Sequence, residues 1–157
     1  METNGIIDEL GVYEEKIGEL YFVYADIMPK YALFWKAMAR EQQERAAVIY
    51  RLKWLVEKRL LTYRHAGLNE LLIGDAITRV DEEKERAAAG KVRKKEAFSF
   101  ALELDLGAVT QKFLDVFRDP KGLLKHTFAL LKEDAIKHSE KLREMCFRYK
   151  ADYNSKL

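Results

Sequence analysis

The sequence predicts an all-α fold: a four-helix bundle of two antiparallel hairpins joined by a long, partly helical crossover, with no β-sheet. Three observations predict it. In four long segments apolar residues recur every three or four positions, which is the spacing of one face of an α-helix. Only two prolines and eight glycines interrupt the 157 residues, too few for a turn-rich β fold. A polar residue lies near the middle of each apolar stripe, and buried polar groups need partners, so we expect these residues to meet in the core.

The first two helices form the first predicted hairpin. The first helix spans about residues 5–27, with Asn4 as its N-cap. The second spans about residues 31–63, after a turn at Pro29 and before Gly67. Their apolar stripes are Ile7, Leu10, Glu14, Ile17, Tyr21 and Tyr24, followed by Phe34, Met38, Gln42, Arg45, Ile49 and Leu52.

Residues 68–90 form the predicted crossover, because a short apolar stripe there is followed by a run of charged residues and then by Gly90. The third helix spans about residues 92–118. The fourth spans about residues 120–153, with Asp119 as a cap before Pro120. Their stripes are Phe98, Leu102, Asp105, Val109, Phe113 and Val116, followed by Leu124, Phe128, Leu131, Ala135, His138, Leu142, Met145 and Tyr149. Two hairpins with one long connection give the topology of ferritin-like bundles, and we expect residues 1–157 to form one domain.

The composition indicates which binding partners and which cellular compartment to expect. The net charge is +2, which gives no reason to expect binding to nucleic acid or to an anionic membrane. No apolar run approaches the ~20 residues that a membrane span requires. Cys146 is the only cysteine, so the chain cannot form a disulfide framework or a thiolate metal knuckle by itself. The first residues are polar and acidic, unlike a secretory signal, and we expect a cytoplasmic protein.

The polar residues of the stripes form a weak internal repeat. In each hairpin a helix with one carboxylate precedes a helix with two stripe residues at positions i and i+3. We expect the polar residues to form one layer near the centre of the bundle. They are Glu14, Gln42 and Arg45 in the first hairpin, and Asp105 and His138, the latter three residues after Ala135, in the second.

These positions resemble the rubrerythrin branch of the ferritin-like superfamily. The resemblance rests on Glu14–Tyr21, Tyr24-Ala25, Pro29, Phe34-Trp35, Met38–Ala46, Ala101–Asp105 and Leu131–His138. In that family two iron or manganese ions lie between the helices, held by one glutamate from the first helix of each hairpin and a Glu-x-x-His pair from each second helix. The resemblance implies that Glu14, or its neighbour Glu15, and His138 match two ligands and that Asp105 is a shortened third. Gln42 and Ala135 stand where glutamates belong, and Arg45 stands where a histidine belongs.

The resemblance therefore implies a dimetal centre that has been dismantled, with no metal or other cofactor. An amide is a weak ligand and an arginine stays protonated, so Arg45 would repel a cation and pair instead with Glu14 or Asp105. For His138 we expect a core histidine that is bonded to a carboxylate rather than a metal ligand. A displaced site stays open as an alternative. If the helices rotated, one or two iron or manganese ions would be held by Glu14, Glu41, Asp105, Glu133 and His138.

The sequence leaves three candidate functions open. We expect a non-catalytic binding or structural module that forms a homodimer through the exposed aromatic residues of the second helix. The alternative is a dimetal oxidoreductase that acts on peroxide or oxygen through the displaced ligands, so catalysis stays an open question. The third is a small-molecule binder that uses the polar layer for recognition, which a pocket beside Ala135 would favour. The sequence identifies neither the small molecule nor a protein partner.

Overall fold

The computed structural model describes the backbone of residues 5–155 and the side chains through residue 150. The described chain is predominantly helical, as the sequence predicts. Its helices and strands are α1 (Gly5–Ile27), α2 (Ala32–Glu57), β1 (Thr62–Tyr63), α3 (Glu70–Ala88), α4 (Lys94–Leu106), α5 (Ala108–Lys112), β2 (Phe117–Arg118) and α6 (Lys125–Ser155). Two short 3₁₀ turns, Pro29–Tyr31 and Phe113–Val116, precede α2 and β2. Asn4, the predicted cap of the first helix, lies outside the described residues. No helix within residues 5–155 is both long enough and apolar enough to cross a bilayer.

The central element is α1, which packs against both α2 and α3. Every residue of its predicted apolar stripe is buried. The axis of α1 comes close to α2 at Gly18, where a Cβ atom would lie 3.3 Å from the backbone oxygen of Ala39. The crossover thus contains a full helix, α3, which buries Ile73 and Val80 against this core rather than only connecting the hairpins.

The second helix ends earlier than residue 63, because the backbone turns into the left-handed region at Arg59 (φ 60°) just after Glu57. The following residues form β1, which pairs antiparallel with β2, Thr62 opposite Arg118. The expectation of no β-sheet is therefore wrong for this two-stranded ladder. Periodicity did not reveal the strands because each contains only two residues.

The third helix is broken, in contrast to the continuous helix predicted for residues 92–118. At Gly107 the backbone is extended (φ −68°, ψ 155°), and this glycine ends α4 and begins α5. The fourth helix begins at Lys125 rather than at residue 120. Asp119 accepts hydrogen bonds from the backbone nitrogens of Leu123 (3.1 Å) and Leu124 (2.7 Å), so Asp119 closes a turn before the helix instead of capping one at Pro120.

The second half of the chain packs less tightly than the first. On the described part of α6 the fully buried side chains are His138 and Leu142, whereas the rest of its stripe is half-buried. The all-α prediction is confirmed. The looser α4–α6 half and the break after Leu106 distinguish the observed arrangement from two equivalent hairpins.

Candidate functional site

The polar residues of the stripes lie inside the molecule. Glu14, Gln42, Asp105 and His138 are buried, and the side chain of Arg45 is 12% exposed. The structure does not join them into one network. Instead they form three separate contacts: Glu14 with Arg45, Gln42 with His138, and Asp105 with a serine of α6.

The first contact is an ion pair between α1 and α2. Arg45 Nη1 lies 3.8 Å from Glu14 Oε2, which is too far for a hydrogen bond. Neither carboxylate oxygen of Glu14 nor Arg45 Nη1 has a hydrogen-bond partner among the described residues. The guanidinium of Arg45 also stacks over the Phe113 ring, 5.3 Å from its centroid.

Burial changes the ionisation of this pair. The side chain of Glu14 is 0% exposed, and desolvation raises its pKa from an ordinary value of 4.5 to about 7. The positive charge of Arg45 opposes this shift and Asp105 adds to it. Glu14 is therefore close to half-protonated at neutral pH, and its ion pair with Arg45 forms fully only above that pH.

The second contact is a chain of side chains between α2 and α6. Gln42 Nε2 lies 3.0 Å from His138 Nε2, and His138 Nδ1 lies 2.9 Å from Glu41 Oε2. Because an amide nitrogen only donates, His138 Nε2 accepts here and Nδ1 donates to Glu41. Lys141 donates to the other oxygen of Glu41. Hydrogen bonds from His138 and Lys141 lower the pKa of Glu41 to about 2, so this carboxylate stays ionised.

The third contact fixes the end of α4. Ser139 Oγ donates to Asp105 Oδ2 at 2.6 Å, and Gln111 Nε2 donates to the backbone oxygen of Asp105 at 2.7 Å. Asp105 is thereby held between α6 and α5, across the break at Gly107. Nearby, the hydroxyl of Tyr13 lies 3.1 Å from Thr110 Oγ1, which ties α5 to α1.

Two cavities flank Ala135 and together form what we call the polar cleft. They measure about 260 and 280 Å³, and Arg45, Phe113 and Ala135 line both of them. The first cavity also reaches Glu41 and the second also reaches Asp105. The polar cleft therefore opens beside the position where the resemblance to rubrerythrins would place a glutamate.

The six positions that would match rubrerythrin ligands do not fit an intact dimetal centre. The Arg45 guanidinium, rather than a ligand, lies against Glu14, and Ala135 supplies no donor atom. Both ring nitrogens of His138 are already hydrogen-bonded, so neither has a free lone pair for a metal. No chemical step through a metal follows from this arrangement.

The displaced ligand set does not converge either. Glu133 is exposed and pairs with Lys137 at 3.3 Å, and Glu41 is paired with His138 and Lys141. Within the described side chains, no group of three or more histidine, cysteine, aspartate or glutamate residues is arranged to hold a metal ion. Glu133 and Glu41 do not turn inward together, since Glu133 lies on the exposed surface of α6 and the Glu41 carboxylate is hydrogen-bonded to His138 and Lys141.

Comparison with protein-family models, with curated proteins and with solved structures finds no match to this chain.

Two contacts of the site were missed by sequence reasoning. A carboxylate partner was expected for His138, but Glu41 was considered only as a metal ligand and not as that partner. Ser139 was not considered at all, although it follows His138 directly on α6. The signal for Glu41 was available, since it immediately precedes Gln42 and an acidic residue is a common partner of a buried histidine.

Proposed function

We propose that this chain is a non-catalytic binding module on a rubrerythrin-like helical frame. In this proposal the Glu14–Arg45 ion pair occupies the place of the dimetal centre, and the polar cleft beside Ala135 receives a small polar molecule. The observation that supports it is the pair of cavities that share Arg45, Phe113 and Ala135. The small side chain of Ala135 leaves space for the cavities, and the guanidinium of Arg45 lines them.

The walls of the polar cleft indicate what kind of molecule would bind. Arg45 lines both cavities, so its guanidinium would attract a carboxylate on the ligand. The flat face of Phe113 lies beside that guanidinium and offers an apolar contact. Acidic residues on the rim, such as Glu44 and Asp134, would accept hydrogen bonds from hydroxyl or amino groups. A small molecule with a carboxylate and a second polar group fits these walls.

The proposal is tested by following backbone amide resonances of the full chain during titration with acetate, succinate and glutamate. We expect saturable shifts around Arg45, Phe113 and Ala135 for at least one of these acids. Ala135→Leu should abolish the shifts because it fills the polar cleft, whereas Ala47→Leu, an exposed substitution on α2, should leave them unchanged. Shifts that are absent, or that survive Ala135→Leu, would contradict the proposal.

The resemblance to rubrerythrins has its own test. The full ligand set is rebuilt by combining Gln42→Glu, Arg45→His, Asp105→Glu and Ala135→Glu in one variant. Without metal this variant should be less stable, because several carboxylates are crowded together. Iron or manganese should then raise its melting temperature, since the metal binds the folded state. A folded variant whose melting temperature does not respond to metal would argue against the family assignment.

The alternative, a dimetal oxidoreductase, would require metal in the unmodified protein. Elemental analysis of protein purified without chelator separates the two functions. Near-stoichiometric iron or manganese that is lost in His138→Ala would favour the oxidoreductase.

We also propose that the protein is a cytoplasmic homodimer with α2 in its interface. Leu33 is 86% exposed and Trp54 is 54% exposed on this helix, and large exposed apolar side chains are typical of contact surfaces. The cytoplasmic location is proposed because the chain has a single cysteine and no disulfide partner for it. Light scattering should give twice the mass of the chain, and Trp54→Lys should reduce the dimer fraction. A monomer at all concentrations would exclude this interface.

A further inference from the structure

A third cavity, of about 380 Å³, lies between α4 and α6, and we call it the α4–α6 groove. From α4 it is lined by Lys95, Phe98 and Leu102, and from α6 by Arg143, Phe147 and Lys150. Its volume falls within the range of about 300–1,000 Å³ that is usual for small-molecule sites. The groove is separate from the polar cleft, although Arg143 borders both.

The floor of the α4–α6 groove is apolar and aromatic. Phe98 is buried, and its ring stacks on Tyr149 with 4.8 Å between the ring centroids. Leu102 is half-buried beside it, one turn further along α4. Phe147 is 76% exposed at the edge, so a large aromatic side chain remains in water next to a formed cavity. An apolar occupant would remove surface from water at all of these positions.

The rim of the groove has one sign of charge. Lys95, Arg143 and Lys150 are all exposed, and none of the described side chains lining the groove is acidic. None of the three cations forms an ion pair with another described side chain, whereas Lys137, Lys141 and Arg148 on the same helix each have a glutamate partner. Three unpaired cations around an apolar floor attract an anionic group and favour its entry.

We propose that the α4–α6 groove binds an amphiphilic carboxylate, a small molecule whose alkyl chain lies on Phe98 and Leu102 and whose carboxylate lies among the rim cations. Charge complementarity selects this occupant over a neutral or cationic amphiphile. A cavity of about 380 Å³ suits a small molecule better than a polypeptide segment. The proposal does not depend on a ligand in the polar cleft.

Occupancy of the groove can be followed through the reactivity of Cys146, because this residue lines the groove and is the only cysteine of the chain. Its thiol donates a hydrogen bond to the backbone oxygen of Phe98 at 3.7 Å, inside the groove. Burial raises the pKa of Cys146 to about 11, so its alkylation is slow enough to follow over time. An occupant of the groove would cover this thiol and slow the reaction further.

The test uses the full chain with decanoate as the probe, below the concentration at which decanoate forms micelles. Calorimetry should show one saturable site, and saturating decanoate should slow the alkylation of Cys146 by about tenfold or more, as for a site that is mostly occupied. Decanol tests whether binding requires a charge on the ligand, and acetate tests whether it requires the alkyl chain. Decyltrimethylammonium tests whether the charge must be negative. Decanol should bind more weakly than decanoate, and the other two should give no protection of the thiol.

Variants locate the site. Lys95→Glu combined with Lys150→Glu should weaken decanoate binding by about tenfold, because two attractive charges become repulsive. The matched control, Lys36→Glu combined with Lys121→Glu, changes the net charge equally at exposed cations outside the groove and should bind decanoate normally. Ser99→Trp should block the groove from an exposed position, and Ala135→Leu should have no effect on decanoate because it closes only the polar cleft.

Several results would overturn the proposal. Equal binding of decanoate and decyltrimethylammonium would exclude recognition of the negative charge. Equal affinity in the charge-reversed variant and its control would place decanoate elsewhere. Concentration-dependent protection of Cys146 without any ligand would mean that a second copy of the chain, rather than an amphiphile, covers the groove.

Discussion

Replacing Glu14 by glutamine should change how the stability of the protein depends on pH. Glu14 is fully buried on α1, and its pKa is raised from 4.5 to about 7 because desolvation outweighs the attraction of Arg45. In the unfolded chain the carboxyl group ionises above pH 4.5, whereas in the folded protein it stays protonated up to about pH 7. Glu14 therefore makes its full contribution to the unfolding free energy below pH 4.5, and this contribution is lost as the pH rises through 7.

The magnitude follows from the difference between the two pKa values. That difference is about 7 minus 4.5, or about 2.5 units. Each unit corresponds to about 1.36 kcal/mol, so the wild-type protein should lose about 3 kcal/mol of unfolding free energy from this group between about pH 4 and pH 8. Glu14→Gln has no carboxyl group at this position and should lack this loss. Glu41, whose pKa is lowered from 4.5 to about 2, contributes only at the acidic edge of this window, and it contributes equally in both proteins.

The measurement is urea denaturation of wild type and Glu14→Gln at half-unit steps of pH. The difference between the two unfolding free energies isolates Glu14 from groups that titrate equally in both proteins. Glu82→Gln is the control, since Glu82 is exposed on α3, and it should follow the wild-type profile. Parallel profiles for wild type and Glu14→Gln would refute the reasoning, because they would mean that water solvates the carboxyl group in the folded protein.

Three further predictions concern the neighbouring contacts. Arg45→Met should destabilise the protein by about 1 kcal/mol more at pH 8 than at pH 6 in urea denaturation, because only the ionised form of Glu14 needs the cation; equal losses at both pH values would contradict the ion pair. His138→Phe leaves the buried amide of Gln42 without its partner and should cost about 1–3 kcal/mol of unfolding free energy, and a loss near zero would mean that water already satisfies that amide. Protein purified without chelator should contain no stoichiometric iron, manganese or zinc by elemental analysis, because Arg45 repels a cation at the centre; stoichiometric metal that disappears in Glu14→Gln would reverse this expectation.

Periodicity was sufficient to predict the helical core but not its interruptions. The stripe of α1 is buried throughout because one continuous helix maintains the spacing of three and four residues. The stripe around Asp105, Val109 and Phe113 is also buried, although the helix breaks at Gly107. The short α5 and the following 3₁₀ turn preserve nearly the same spacing, so the pattern of burial carries no trace of the break. Only Gly107 itself, an isolated glycine within a helical pattern, indicated it.

The site was predictable in its membership but not in its pairing. Stripe positions identify which polar side chains point inward, and the ion pair expected between Arg45 and a carboxylate is present with Glu14. The contact between Gln42 and His138 joins residues 96 positions apart, and its formation depends on how α6 is rotated against α2. A single stripe does not determine that rotation. The cavities beside Ala135 depend in the same way on whether neighbouring side chains move into the space that an alanine leaves.

The shallow burial of α6 lowers the free energy needed to separate this helix locally from the rest of the described chain. Its described side chains are fully buried only at His138 and Leu142, so little apolar surface has to be exposed for α6 to separate from the rest. The same helix forms one wall of the polar cleft and one wall of the α4–α6 groove. Local detachment of α6 would break the Gln42–His138 hydrogen bond and remove one wall of both cavities at once, while α1, α2 and α3 keep their packing. A small molecule held in either cavity would therefore oppose this detachment, because each cavity exists only while α6 is docked.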